Sequence, residues 1–239
     1  MIEARVRPAG LVSDFINHIL YDNARPTILI VCSTRAQFLT QLSASICLQQ
    51  SRPQNDLVGD EQERDIEGMD ESGLTTESIQ PPHPLLAKSI GLIAQSRRVQ
   101  LVFCPSIDQL RAYLSTFHAG REERHGGPGD STGDECDNGQ LAILDLVAVH
   151  YVSLEFSAQG LSRTLAIAVE AAARETTDLV LCECNDAVVP QNLGRGQRLW
   201  DLHLPLLSST LRVGDGETSW TGPHVSVKRV AQRWFRFEE

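Results

Sequence analysis

Apolar positions in this chain fall into short unbroken runs and longer stretches of helical period, and the two alternate. Leu141-Ala142-Ile143-Leu144 is an apolar run without polar alternation, the pattern of a strand covered on both faces, and it ends on a carboxylate, Asp145. After an irregular stretch, Ser162 can cap a helix in which Leu165, Ala166, Val169, Ala172 and Ala173 recur at helical spacing. Thr176-Thr177 ends it before a second apolar run, Asp178 to Cys184. A strand, a crossover helix and a parallel strand form the simplest solution.

The same alternation runs through the rest of the chain. Gly10 to Asn23 carries Leu11, Phe15, Ile16, Ile19 and Leu20 as one helical stripe, which either packs on its own sheet or, through Phe15 and Ile19, docks a partner. Thr27 to Cys32 is continuous, β-branched and the best candidate for a central strand. Ser33 and Thr34 then cap a helix over Arg35 to Leu48, with Phe38, Leu39, Leu42 and Ile46 toward the sheet. Pro84 to Ala94 predicts a helix with proline in its first turn, Val99 to Cys104 a further buried strand, and Ile107 to Phe117 a helix with Leu110, Tyr113, Leu114 and Phe117 inward. Toward the end, Ser208 to Val213, Val225 to Val230 and Trp234 to Phe237 predict antiparallel strands that extend the sheet. One α/β domain over residues 1–239 accounts for the pattern: a mostly parallel twisted sheet flanked by helices, with antiparallel C-terminal strands.

Charge changes this picture less than the total suggests. Of the net charge of −10, −8 falls within Asp56 to Glu77 and −4 within Gly120 to Asn138, which leaves +2 for the remainder. Both stretches lack apolar periodicity, so residues 50–83 are expected to be a disordered acidic insertion and 119–139 a flexible acidic, glycine-rich loop. No segment joins a basic start to an apolar stretch and a small-residue cleavage site, and no apolar run approaches a membrane span. The expectation is a soluble intracellular protein. The six cysteines sit mostly inside apolar runs and read as reduced, buried small hydrophobes. Cys182 and Cys184 share a strand face, yet no CxxC or paired histidine completes a metal set, so no metal is expected.

A phosphate-binding loop needs glycines for close backbone approach, a lysine, and a hydroxyl for magnesium. After the first strand this chain has Cys32-Ser33-Thr34-Arg35-Ala36-Gln37 instead, with no glycine between Gly10 and Gly59 and no lysine before Lys88. No nucleophile elbow or Ser/His/Asp order is present either. The chain therefore reads as no enzyme and as binding no cofactor. Asp145 alone has the position of a catalytic acid, and without a lysine or a magnesium hydroxyl it reads as a cap for the loop that follows it.

The order apolar strand, Asp145, loop, Gly160-Leu161-Ser162-Arg163, helix, apolar strand, Asn185 resembles the second half of the RecA-type recombinase core, above all the eukaryotic strand-exchange recombinases and their paralogues. The resemblance implies a RecA-like fold, with Asp145 as a degenerate Walker B acid and Ser33, Thr34 and Arg35 at a degenerate Walker A turn. It implies DNA-facing loops over Val147 to Gly160 and Asn185 to Trp200. In the second of these, Arg195 and Arg198 would meet phosphates, and Trp200 would stack on a base or anchor the loop. The acidic stretch after Gln49 occupies the place of the family's second strand and catalytic glutamate. The function implied is a non-catalytic paralogue subunit of the Shu-complex type, in the nucleus, assisting homologous recombination. Its partners would be another RecA-like paralogue, a SWIM-type zinc protein, and single-stranded or forked DNA bound weakly. A RecA-like Elongator-type subunit acting on transfer RNA is the alternative, and a degenerate ATPase using Asp145 a third.

Overall fold

A computed structural model of the chain describes residues 3–22, 25–51, 83–118, 139–206 and 223–238. The two acidic stretches fall almost wholly outside these residues, as does the expected strand Ser208 to Val213. At the two ends of the first stretch, Gln50 is the last residue of a helix, and His83 is buried with its Nε2 2.6 Å from Gln49 Oε1.

In chain order the elements are β1 (Ala4–Val6), α1 (Val12–Asn17) continued by a π-helical turn over His18–Asp22, β2 (Thr27–Val31) and α2 (Arg35–Gln50). A 3-10 turn over Pro84–Leu86 leads to α3 (Ile90–Ser96), β3 (Val99–Phe103), α4 (Ile107–Ser115), β4 (Gln140–Leu144), α5 (Leu146–Tyr151), α6 (Ala158–Arg174) and β5 (Asp178–Cys182). Another 3-10 turn, Gly196–Asp201, precedes β6 (His203–Pro205), β7 (His224–Ser226), α7 (Val227–Ala231) and β8 (Arg236–Phe237). The main sheet is six-stranded and parallel throughout, in the order β3-β2-β4-β5-β1-β8, and β6 and β7 form a separate antiparallel pair. This is the α/β architecture that the alternation predicts, and it is consistent with a RecA-like arrangement.

Alternate residues of each strand feed opposite cores. Ile30, Leu141, Ile143, Leu179 and Leu181 pack with α4, α5, α6 and α7, whereas Leu29, Val31, Ala142, Leu144 and Val180 pack with α1 and α2. Both faces are therefore covered, which explains why β4 has no polar alternation. Phe15 and Ile19 are 3% and 2% exposed within the second core, so they face the chain's own sheet and offer no side chain to a partner.

Several boundaries differ from the sequence expectation, each for a local reason. The helix expected over Pro84 to Ala94 breaks at Ala87, and Ser89, whose hydroxyl accepts the Leu92 N–H, caps a new start. The strand Val99 to Cys104 is an edge and not a buried strand, with Leu101 47% exposed. Leu39 lies on the outer side of α2. The crossover helix begins a turn before Ser162, at Ser157, whose hydroxyl accepts the Gly160 N–H. The stretch Val225 to Val230 alternates like a strand but also places Val227, Val230 and Ala231 on one helical face. Ser226 caps it, and the helical solution wins after three strand residues. The C-terminal strands do not extend the main sheet in antiparallel fashion: β8 adds to β1 in parallel. Finally, β1 was not expected at all, being three residues long with Arg5 in the middle.

Candidate functional site

The strand after β2 in the chain, β3, lies on one side of β2, and β4 and β5 lie on the other. The chain thus reverses its winding between β2 and β4, and in open α/β sheets the crevice at the carboxyl ends of such a pair is where ligands sit. Here that point is lined by Cys32, Ser33 and Thr34 after β2 and by Asp145 after β4.

The first strand end is closed by a helix cap. Thr34 Oγ1 accepts the Gln37 N–H at 3.3 Å while Gln37 Oε1 accepts the Thr34 N–H at 3.0 Å, a reciprocal capping box that uses the groups a phosphate would need. Arg35 is exposed beside it. It borders an open groove of about 730 Å³ shared with Val102, Phe103, Pro105, Gln109 and Tyr113.

Asp145 takes a left-handed backbone conformation (φ 63°, ψ 37°) and is buried. Its Oδ1 accepts the Cys184 N–H at 3.0 Å, and its Oδ2 accepts from Arg195 Nη2. Burial pushes the Asp145 carboxyl up, and Arg195 and the Cys184 N–H pull it back. Both oxygens are thus held by the chain itself. Arg195, expected at a DNA phosphate, is instead the counter-ion of Asp145.

A second acid joins them that sequence reasoning passed over. Glu183 is fully buried, and its two oxygens accept the Val147 and Ala148 N–H groups at 2.6 and 3.1 Å, in the first turn of α5. Burial, and then the nearby Asp145, push its carboxyl well above the usual range. Its position within Leu181-Cys182-Glu183-Cys184 was the available signal, since a charged residue inside an apolar run must find partners. Cys32 and Cys184 lie near the two acids. Burial drives the Cys32 thiol up, and the bond to Cys182 Sγ, 3.8 Å away, followed by burial does so for Cys184, so both stay protonated. Among the described residues no three His, Cys, Asp or Glu side chains are grouped to hold a metal.

The expected first DNA loop is in part the helix α5. His150 at its last turn is fully buried, with Nε2 2.9 Å from Thr164 Oγ1. Arg111 donates from Nε to the same hydroxyl, from Nη2 to Gly160 O, and pairs with Glu155. Burial first, and Arg111 as well, lower the His150 pKa to about 4. In the second loop Arg198 is exposed, with Nη1 3.5 Å from Gln191 O. Trp200 is 2% exposed and stacks edge-on against Phe237 at 5.1 Å, which makes it a core residue that anchors the loop and leaves no face for a base. Of the three residues expected at DNA, Arg198 alone is free to meet it.

No family model matches the chain, and no curated protein matches it.

Proposed function

We propose that the protein is a non-catalytic, RecA-like subunit that works inside a complex, of the kind that assists homologous recombination in the nucleus, with another RecA-like paralogue and a SWIM-type zinc protein as partners. The observation that carries the non-catalytic part is the Asp145–Arg195 pair, with Cys184 N–H on the other carboxylate oxygen. An acid at the end of β4 that served magnesium would present an oxygen to the crevice, whereas this one is buried with each oxygen already bonded within its own chain. The capping box at Thr34 supports the same reading on the opposite strand end.

The recombination assignment rests on the order of motifs from Leu141 to Asn185. Single-stranded DNA would be a weak ligand of the isolated chain, because Arg195 is engaged and Arg198 is left to make the phosphate contact. Contacts contributed by a partner would add to it through high effective concentration. The test is reconstitution: stoichiometric co-purification with a RecA-like paralogue, and tighter binding of single-stranded DNA by the complex than by either subunit, support the reading. Co-purification with Elongator subunits, or saturable ATP turnover, contradicts it.

A further inference from the structure

Four cations near the end of the chain find no acid to pair with. Lys228, Arg229, Arg233 and Arg236 are all exposed, and none of them makes an ion pair among the described residues. The helix α7 buries Val227, Val230 and Ala231, so Lys228 and Arg229 lie on its outer side. Backbone bonds from Gln232 N–H to Lys228 O and from Phe235 N–H to Ala231 O carry the helical path a turn further. Arg229 and Arg233 are thereby set about 6 Å apart along it. Trp234 is 37% exposed beside them, whereas the next residue, Phe235, is buried. Lys228 Nζ lies 5.4 Å from the centre of the Phe237 ring, which joins α7 to β8 and so to Arg236. The turn that carries Arg198 packs against α7, and the Val227 N–H donates to Leu202 O at 2.9 Å just after it.

Like charges four residues apart on a helix destabilise it, so Arg229 and Arg233 cost stability that a bound anion would restore. The surrounding charges do not cancel the patch. Glu238 pairs with Arg5 and Arg7, and Glu239 follows it outside the described residues. Glu3 shares a pocket with Arg5, and Asp201 shares its turn with Arg198. The charges of α6 and its cap, Arg163, Glu170, Arg174 and Glu175, balance one another. The surface therefore stays positive on a chain whose net charge is −10.

Charge and an aromatic ring together select the occupant. An acidic polypeptide would meet the cations but brings no flat base to Trp234. An anionic membrane needs a broad apolar face, whereas Trp234 is the one large apolar side chain exposed on these elements among the described residues. A nucleic acid strand with unstacked bases offers both phosphates and stacking surfaces.

We infer that α7 and β8 form a binding surface for single-stranded nucleic acid, with Lys228, Arg229, Arg233 and Arg236 on its phosphates and a base stacked on Trp234. The proposal rests on the functional reading for the ligand and adds where on the fold the strand lies.

The test is fluorescence anisotropy of labelled oligo-dT and oligo-U with the full chain, from about 50 to 200 mM salt. Arg229→Gln plus Arg233→Gln should flatten the salt slope by about 1.4 units, two contacts at about 0.7 each on a single strand. Lys88→Gln plus Arg97→Gln, the same loss of charge at exposed positions flanking α3, should leave the slope unchanged. Trp234→Ala should weaken binding about fivefold or more without altering the slope, as loss of one stacked base does. Circular dichroism checks that the variants remain folded. A slope in the Arg229 and Arg233 variant no flatter than in the control, or a Trp234 variant that binds like wild type, would overturn the proposal. So would tighter binding to phosphatidylserine vesicles or to poly-glutamate than to either oligonucleotide. A reconstituted paralogue complex in which Arg198→Ala alone changes DNA binding would sink this surface and leave the functional reading standing. A chain that assembles with no paralogue yet shows the α7 dependences would keep the surface and sink that reading.

Discussion

Arg195 reaches back fifty residues in sequence to pair with Asp145 at the end of β4, and both side chains are largely withdrawn from solvent. An arginine placed by its loop as a DNA contact is in the fold an internal counter-ion. Removing it leaves a buried carboxylate with one N–H partner. Arg195→Ala should therefore destabilise the protein by about 3 kcal/mol at neutral pH, as loss of one partner of a buried pair does. Without the arginine the raised Asp145 pKa rises further. A carboxyl raised in the folded state stabilises fully below its unfolded value and loses that contribution as pH climbs through the folded one. The cost in urea unfolding should accordingly shrink from about pH 8 to about pH 5. An equal cost at both ends would mean that Asp145 is not the partner that matters.

His150 gives the opposite slope. Its pKa is lowered to about 4 by burial, so it is neutral in the fold while the unfolded chain takes up a proton near pH 6.5. Stability is present above that value and declines as pH falls toward 4, by roughly 3 kcal/mol in total. His150→Gln, which keeps a donor for Thr164, should flatten this decline relative to wild type. A wild-type unfolding free energy that is level across the window, or a variant that declines as steeply, contradicts the assignment.

Gly160, part of the Gly-Leu-Ser-Arg run, has a steric reason for being glycine. A Cβ at this position would lie 2.4 Å from the Glu155 carbonyl oxygen, a backbone atom that cannot swing away. Gly196 has a second reason, with φ of +71° and Asn185 in the space a Cβ would fill. Gly160→Ala and Gly196→Ala should each cost about 1–3 kcal/mol by thermal or chemical denaturation. A neutral result at Gly160 would require α6 to begin later than Ser157.

What the sequence made legible is what periodicity encodes. The runs at β2, β4 and β5 are unbroken because both sheet faces are covered, and the crossover helix follows from its small apolar repeat. Arg195, Glu183 and His150 were not legible, because their partners come from distant segments that a linear pattern does not bring together. Charge inside an apolar run marked Glu183 as needing a partner without naming Val147 and Ala148. Trp200 and the stripe of Phe15 and Ile19 were ambiguous for a different reason: an aromatic or apolar residue has the same pattern whether it packs inward or docks a partner. Only the fold sends them to the two cores. Short elements such as β1 and α5 carry too few residues to display a period.

The same geometry changes what mutation of the basic loop should do to DNA binding. Arg198→Ala should reduce weak single-stranded DNA affinity and flatten its salt dependence by about one unit of slope at most, the share of one phosphate contact. Arg195→Ala, in a condition where the protein stays folded, should leave the slope as it is. A slope change in the Arg195 variant equal to that in the Arg198 variant would show that the pair with Asp145 opens to DNA.

The most direct measurement is calorimetric titration of the purified chain with magnesium and ATP, up to about 1 mM nucleotide. At the crevice between β2 and β4 the Thr34 and Gln37 N–H groups are bonded within the capping box, and the Asp145 carboxylate is bonded to Arg195 and the Cys184 N–H. No saturable heat is therefore expected. A binding isotherm with a micromolar constant, lost on Asp145→Ala in a protein that remains folded, would contradict the account.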